Sequence, residues 1–194
     1  INYRYTDTAH DGRLESQKVI PESIQVTSKL KDSERSRLAC AVTRESVSEA
    51  EKLGETLTLI EPQALTLSWT AKSEGDLEIE RRKHADLARQ LSMLDAPCQP
   101  LDPCPYAFKF RWKARSGTTH EHVCDDWETS AEFFRRRADL GETAALQSLK
   151  QTYEVDYLRR GMRFALGTHS RRKTQWLLVG VLRVDEHKQA ELPL

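Results

Sequence analysis

No stretch of this 194-residue chain comes near the roughly 20 consecutive apolar residues of a membrane-spanning helix. Neither sign of charge prevails, since Lys plus Arg number 30 and Asp plus Glu number 30. That balance excludes a uniformly basic, histone-like binder. Internal repeats and low-complexity tracts are absent, and collagen and coiled-coil classes go with them. There is no phosphate-cradling P-loop, no Gly-x-Gly-x-x-Gly and no Gly-x-Ser-x-Gly. No secretory-signal pattern is visible either. The four cysteines, Cys40, Cys98, Cys104 and Cys124, form no tight disulfide framework. Together these absences point to a reducing compartment, and a cytoplasmic protein is expected.

What is present suffices for a folded core. Hydrophobic residues make up 38% of the chain and net charge is zero, whereas disorder pairs low hydrophobicity with high net charge. Four Trp, five Tyr and five Phe supply bulk. The chain opens on Ile1 rather than Met, and Asn2 to Tyr5 reads as mid-strand, so an expectation is that it starts inside a larger protein.

The first 26 residues read as β-like, with a turn at Asp11 and Gly12. Ser33 to Gly54 reads as helix, with Thr43 a candidate interruption and Val47, Ala50 and Leu53 on one face of a second stretch. Thr56 to Ile60 and Ala64 to Trp69 alternate as two strands on either side of Glu61-Pro62, and Ser73 to Asp76 reads as a polar loop before a charged helix over 77–94. Pro97, Pro100, Pro103 and Pro105 then forbid a helix or central strand. This divides the chain into 1–95 and 96–194, or else marks a crossover within one continuous domain.

The second half has a sharper pattern. Tyr106, Phe108, Phe110 and Trp112 alternate with Lys109, Arg111 and Lys113, and Ser116-Gly117 turns the chain into a return strand over 118–124. A helix is expected from Asp125, capped with Glu128, and its core stripe reads as Trp127, Ala131, Phe134 and Ala138. A second helix over 142–153 turns Ala145, Leu146, Leu149 and Tyr153 inward. A hairpin of Phe164 to Leu166 and Trp176 to Val184 follows, around a polar loop from Thr168 to Thr174, with Trp176 in the core. The order is ββααββ, and the expected class is α+β with antiparallel sheet and small OB-like units.

Three clusters could carry chemistry. Cys104, His120, His122 and Cys124 are ligand types that suit tetrahedral zinc, but their spacing fits no standard finger. The alternative places His120 and His122 on a solvated strand face with Cys124 partly buried; no metal and no cofactor are expected. Asp125, Asp126 and Glu128 invite a metal-dependent hydrolase reading, set against helix capping by the same residues. The third cluster is basic. Between Val155 and Val184 seven bases face one acid, a net of +6. Arg159, Arg160, Arg163, Arg171, Arg172 and Lys173, joined by Lys109, Arg111 and Lys113 of the first hairpin, would form a phosphate-binding surface if both hairpins share one sheet. No catalytic residue is assigned.

Asp11 to Ser16, Pro105 to Arg111, Asp126-Trp127-Glu128, Phe164 to Thr168 and Trp176 to Gly180 together resemble a poorly characterised prokaryotic family. Its members begin with a β-rich segment similar to one in dual OB-fold proteins. The resemblance implies an OB-like, nucleic-acid-linked protein. Some relatives carry a Cys-rich turn in the first hairpin, but Ala114 to Thr119 contains no Cys, so no zinc knuckle is carried over. The expected function is a non-catalytic nucleic-acid-binding or accessory subunit of a prokaryotic complex in defence or DNA/RNA processing. Its partners would be nucleic acid and protein, with no membrane. A purely protein-binding subunit and a metal-dependent hydrolase are the alternatives.

Overall fold

A computed structural model describes residues 1–6, 13, 16–92, 99–169 and 172–185, except for the side chains of 90–92 and 173. The turn at Asp11 and Gly12 lies outside them; the strands it was expected to join, β1 (Tyr5–Thr6) and β2 (Lys18–Val19), pair antiparallel.

The helix expected over 33–54 is divided into α1 (Asp32–Ala41), the short strand β3 (Thr43–Arg44) and α2 (Val47–Lys52). Thr43 is the interruption: its hydroxyl donates to the Ala39 carbonyl at 2.7 Å, closing the helix from behind. Ser46 then accepts the Glu49 N–H at 3.2 Å and caps α2. Strands β4 (Leu57–Ile60) and β5 (Ala64–Ala71) follow as expected. Ser73 to Asp76 is not a loop. The Ser73 hydroxyl accepts the Asp76 N–H at 3.1 Å and starts α3 (Glu74–Ser92).

Past the proline-rich segment come β6 (Tyr106–Lys113), β7 (Thr119–Val123), α4 (Trp127–Leu140) and α5 (Glu142–Gln151). Gly117, at φ +88°, supplies the left-handed residue of the β6–β7 turn. The chain continues through a π-helical segment (Thr152–Tyr157) into α6 (Leu158–Arg160), β8 (Met162–His169) and β9 (Arg172–Arg183). The β8–β9 strands run further toward their tip than the polar loop expected over Thr168 to Thr174. The ββααββ order and the α+β class hold.

The two hairpins do not share a sheet. Strand order is β3-β4-β8-β9 in one and β5-β6-β7 in the other. All pairings are antiparallel except β3 with β4, which is parallel. Each of these two larger sheets takes strands from both sides of the proline-rich segment, which links β5 to β6 by way of α3. Among the described residues an isolated backbone bridge, Cys124 with Leu178, links the two larger sheets, and no barrel closes.

The inward row of β6 organises the core. Tyr106 and Phe108 meet Phe133 of α4 edge-on at 5.5 and 6.1 Å between ring centroids. Phe110 meets Tyr153 at 5.3 Å and Phe164 of the other sheet at 5.2 Å. Trp112 meets the same Phe164 at 5.4 Å. Such edge-to-face contacts add to the burial of the rings themselves. Ala145, Leu146, Leu149 and Tyr153 are buried as expected, and so is Trp176, whose indole N–H donates to Glu51 at 3.0 Å. The α4 stripe is different from the expected one. Thr129 and Phe133 are its buried residues, whereas Trp127 is 73% exposed.

Candidate nucleic-acid interface

The alternation of β6 makes its two faces chemically opposite. Phe108, Phe110 and Trp112 are buried and Tyr106 is half-buried; Lys109, Arg111 and Lys113 stand exposed on the outer face. Along a strand, residues two apart sit about 6.8 Å from each other, so the three charges form a line. Register places Ala64, Thr66 and Ser68 of β5 beside them on one flank, and Thr119, Glu121 and Val123 of β7 on the other. Lys109 donates to the Glu121 carboxylate at 3.0 Å. Arg111 and Lys113 make no ion pair among the described residues. Arg115, at the hairpin end, pairs with Glu61 at 2.8 Å.

The remaining expected bases do not join this line. Arg163 is only 3% exposed. Its guanidinium donates to the Thr43 hydroxyl and to the Met162 carbonyl, both at 2.9 Å, and lies 3.8 Å from Glu61. It belongs to the fold interior beside Cys40, not to an exposed surface. Arg159 and Arg160 end α6, just before β8, while Arg172 begins β9 after the far end of β8. Eight residues of strand separate these positions, about 25 Å. The +6 segment is thus split between an interior residue and the two ends of one strand. Arg171 lies outside the described residues, as does the side chain of Lys173.

Among the described residues no three His, Cys, Asp or Glu side chains come together as a metal-binding group. His120 and His122 are not on a solvated face. They turn inward and stack on Trp112 at 4.6 and 5.9 Å between centroids, and His122 Nδ1 accepts the Trp112 indole N–H at 3.1 Å. Burial lowers the pKa of both, and for His122 the neighbouring His120 adds to it. Burial pushes the Cys124 thiol up to about 11 and raises Cys104 as well.

The cap of α4 is Asp126 rather than Asp125. One of its carboxylate oxygens accepts the Glu128 N–H at 3.1 Å; the other accepts the Thr129 hydroxyl at 3.4 Å and the Val181 N–H at 3.3 Å. Those oxygens are committed to helix start and sheet edge.

A family model described as "Domain of unknown function (DUF8757)" matches residues 35–193. The chain belongs to that family. No curated protein and no solved structure matches it. The DUF8757 match takes in both larger sheets, every basic residue considered above and the Asp126 cap. It leaves β1 and β2 outside. No helix among the described residues is long and apolar enough to cross a membrane.

Two features of this DUF8757 chain escape the sequence pattern. A groove of about 570 Å³ lies between α3 and α4, with Leu101, Trp127, Ala131 and Phe134 among its walls. A second cleft gathers arginines from α4, α6 and β9. Both join residues far apart in the chain, so no local motif announces them.

Proposed function

We propose that this protein is a non-catalytic nucleic-acid-binding or accessory subunit that grips phosphates through the outer face of β5-β6-β7. The observation that carries the reading is the exposed line of Lys109, Arg111 and Lys113, opposed by a single carboxylate, Glu121. A strand holds successive charges at about 6.8 Å, a repeat comparable with the phosphates of an extended single strand. The small flanking side chains Thr66, Ser68 and Thr119 leave those phosphates room. This face presents no aromatic ring, so the contacts are to backbone and insensitive to base sequence. The wider setting, a cytoplasmic prokaryotic assembly in defence or DNA/RNA processing, rests on the family resemblance.

Changing Lys109, Arg111 and Lys113 together to Ala is expected to weaken binding to any sequence about equally. The slope of log affinity against log salt should fall by about 0.7 per lost contact on a single strand, or about 0.9 on a duplex. A salt titration with both oligonucleotide forms measures this; an unchanged slope removes the face from the interface. A purely protein-binding role is the second reading. It is favoured by the exposure of Leu101 and Trp127, 75% and 73%, at the groove between α3 and α4, because exposed aromatic anchors are typical of protein interfaces. Absence of oligonucleotide binding by the unaltered protein at low salt would favour it.

A further inference from the structure

Four guanidinium groups, those of Arg135, Arg136, Arg160 and Arg183, line one cleft of about 410 Å³ with only two carboxylates, Glu132 and Asp156. None of these residues belongs to the cationic row of β6.

The cleft is partly rigid. Arg136 donates to Glu132 at 2.9 Å and to the hydroxyls of Ser148 and Thr152 at 2.8 Å each, so its fork cannot swing away. Arg135 is tied to the same Glu132. Arg183 is held by Asp185 at 2.8 Å. Arg160 is exposed and makes no ion pair among the described residues. One wall is the π-helical segment, which contributes Thr152, Asp156 and Tyr157. Single-turn π-helices are uncommon and often occur at functional positions.

Like charges gathered in a concave site repel one another and focus a positive field outward. Here three carboxylates, Glu132, Asp156 and Asp185, stand against four cations, and Arg160 is the cation with no ion pair among the described residues. Guanidinium forks match the oxygens of phosphate in geometry and charge better than those of any neutral ligand. The volume lies within the range of small-molecule sites and exceeds what a lone phosphate needs. We propose that this cleft binds a phosphate group, with Arg160 as the contact made on binding and Arg183 and Arg135 as partly prepaired donors beside it. The phosphate belongs either to a small phosphorylated molecule or to a nucleic-acid backbone. The inference is independent of the reading of the β6 face.

The test titrates the protein with pyrophosphate at constant ionic strength, following heat of binding and thermal stability. A ligand bound only by the folded state raises the melting temperature. Arg160→Ala removes no ion pair of the fold and is expected to leave stability unchanged without pyrophosphate. It should weaken pyrophosphate binding at least about tenfold, the worth of one charge-assisted contact. Arg160→Lys should recover part of the loss. The Lys109, Arg111 and Lys113 triple variant should bind pyrophosphate like the unaltered protein. If pyrophosphate fails but Arg160→Ala weakens binding of an oligonucleotide, the phosphate site stands and its source is the polymer. If Arg160→Ala changes neither, or if sodium chloride reproduces every effect of pyrophosphate, the proposal is overturned.

Discussion

Asp126 accepts hydrogen bonds from two different elements. Its oxygens take the Glu128 N–H and Thr129 hydroxyl of α4 and the Val181 N–H of β9. An exposed cap is worth about 1 kcal/mol, but Asp126→Ala also strands a buried N–H, which adds about 1–3 kcal/mol. A total loss of about 2–4 kcal/mol is expected in urea unfolding; a loss below about 1 would reduce Asp126 to an ordinary cap. Its neighbour Trp127 presents the reverse case. As a core anchor it would cost several kcal/mol on truncation, but at 73% exposure Trp127→Ala should change stability by less than about 0.5 kcal/mol. The cysteines yield a chemical prediction. The thiolate is the reactive form, and burial raises both Cys104 and Cys124, the latter to about 11. Native protein at neutral pH should therefore alkylate slowly at these two positions and rapidly once unfolded, as read by mass spectrometry of the peptides. Fast native labelling of Cys124 would contradict its placement beside Thr129.

At the scale of elements, the sheets show how their edges are closed. An unpaired strand edge invites pairing with another chain. Along β5, the Leu67 N–H donates to Glu154 at 2.7 Å and Lys150 donates to the Leu67 carbonyl at 3.0 Å, while the two side chains pair with each other at 2.5 Å. One helical ion pair thus supplies the donor and acceptor of a missing strand. Glu154→Ala is expected to speed amide exchange at Leu67 and to cost about 1–3 kcal/mol, with Glu154→Gln milder because an acceptor remains. Unchanged exchange at Leu67 would show that another group covers the edge. Elements differ in how far they could be read from sequence. The period-two pattern of β6 puts its four aromatic and three basic side chains on the correct faces, because alternation on a half-buried strand leaves little freedom. The face of α5 is equally legible. The face of α4 is not: Phe133 and Phe134 are adjacent, and Trp127 biases the stripe toward the wrong side. Which strands join one sheet is also illegible locally, since β5 finds β6 across α3 and the proline-rich crossover.

For the whole molecule, the same contrast governs the candidate site. Lys109, Arg111 and Lys113 can be placed from alternation alone. Arg163 cannot, because β8 is central in its sheet and α1 brings Cys40 against the face that period two assigns to solvent. The histidines show the benefit of combining levels. Spacing puts His120 and His122 on one face, but only the hairpin register, with Trp112 opposite His120 and Phe110 opposite His122, shows that this face is the core. That placement makes global stability depend on pH. His120 Nε2 is buried with no hydrogen-bond partner among the described residues, and protonating His122 at Nδ1 breaks its bond from the Trp112 indole. Both rings have pKa values lowered from about 6.5, by burial foremost. The unfolded chain therefore takes up protons before the folded one does, and stability rises with pH wherever that difference exists. The histidine contribution is complete above about pH 6.5 and is lost as pH falls from there through the lowered folded-state values. Replacing both with Gln should flatten the stability profile between about pH 7 and about pH 5, above the range where ordinary carboxylates titrate. Chemical denaturation across that interval measures it, and a double variant with the same slope as the unaltered protein would place the histidines outside the core stack.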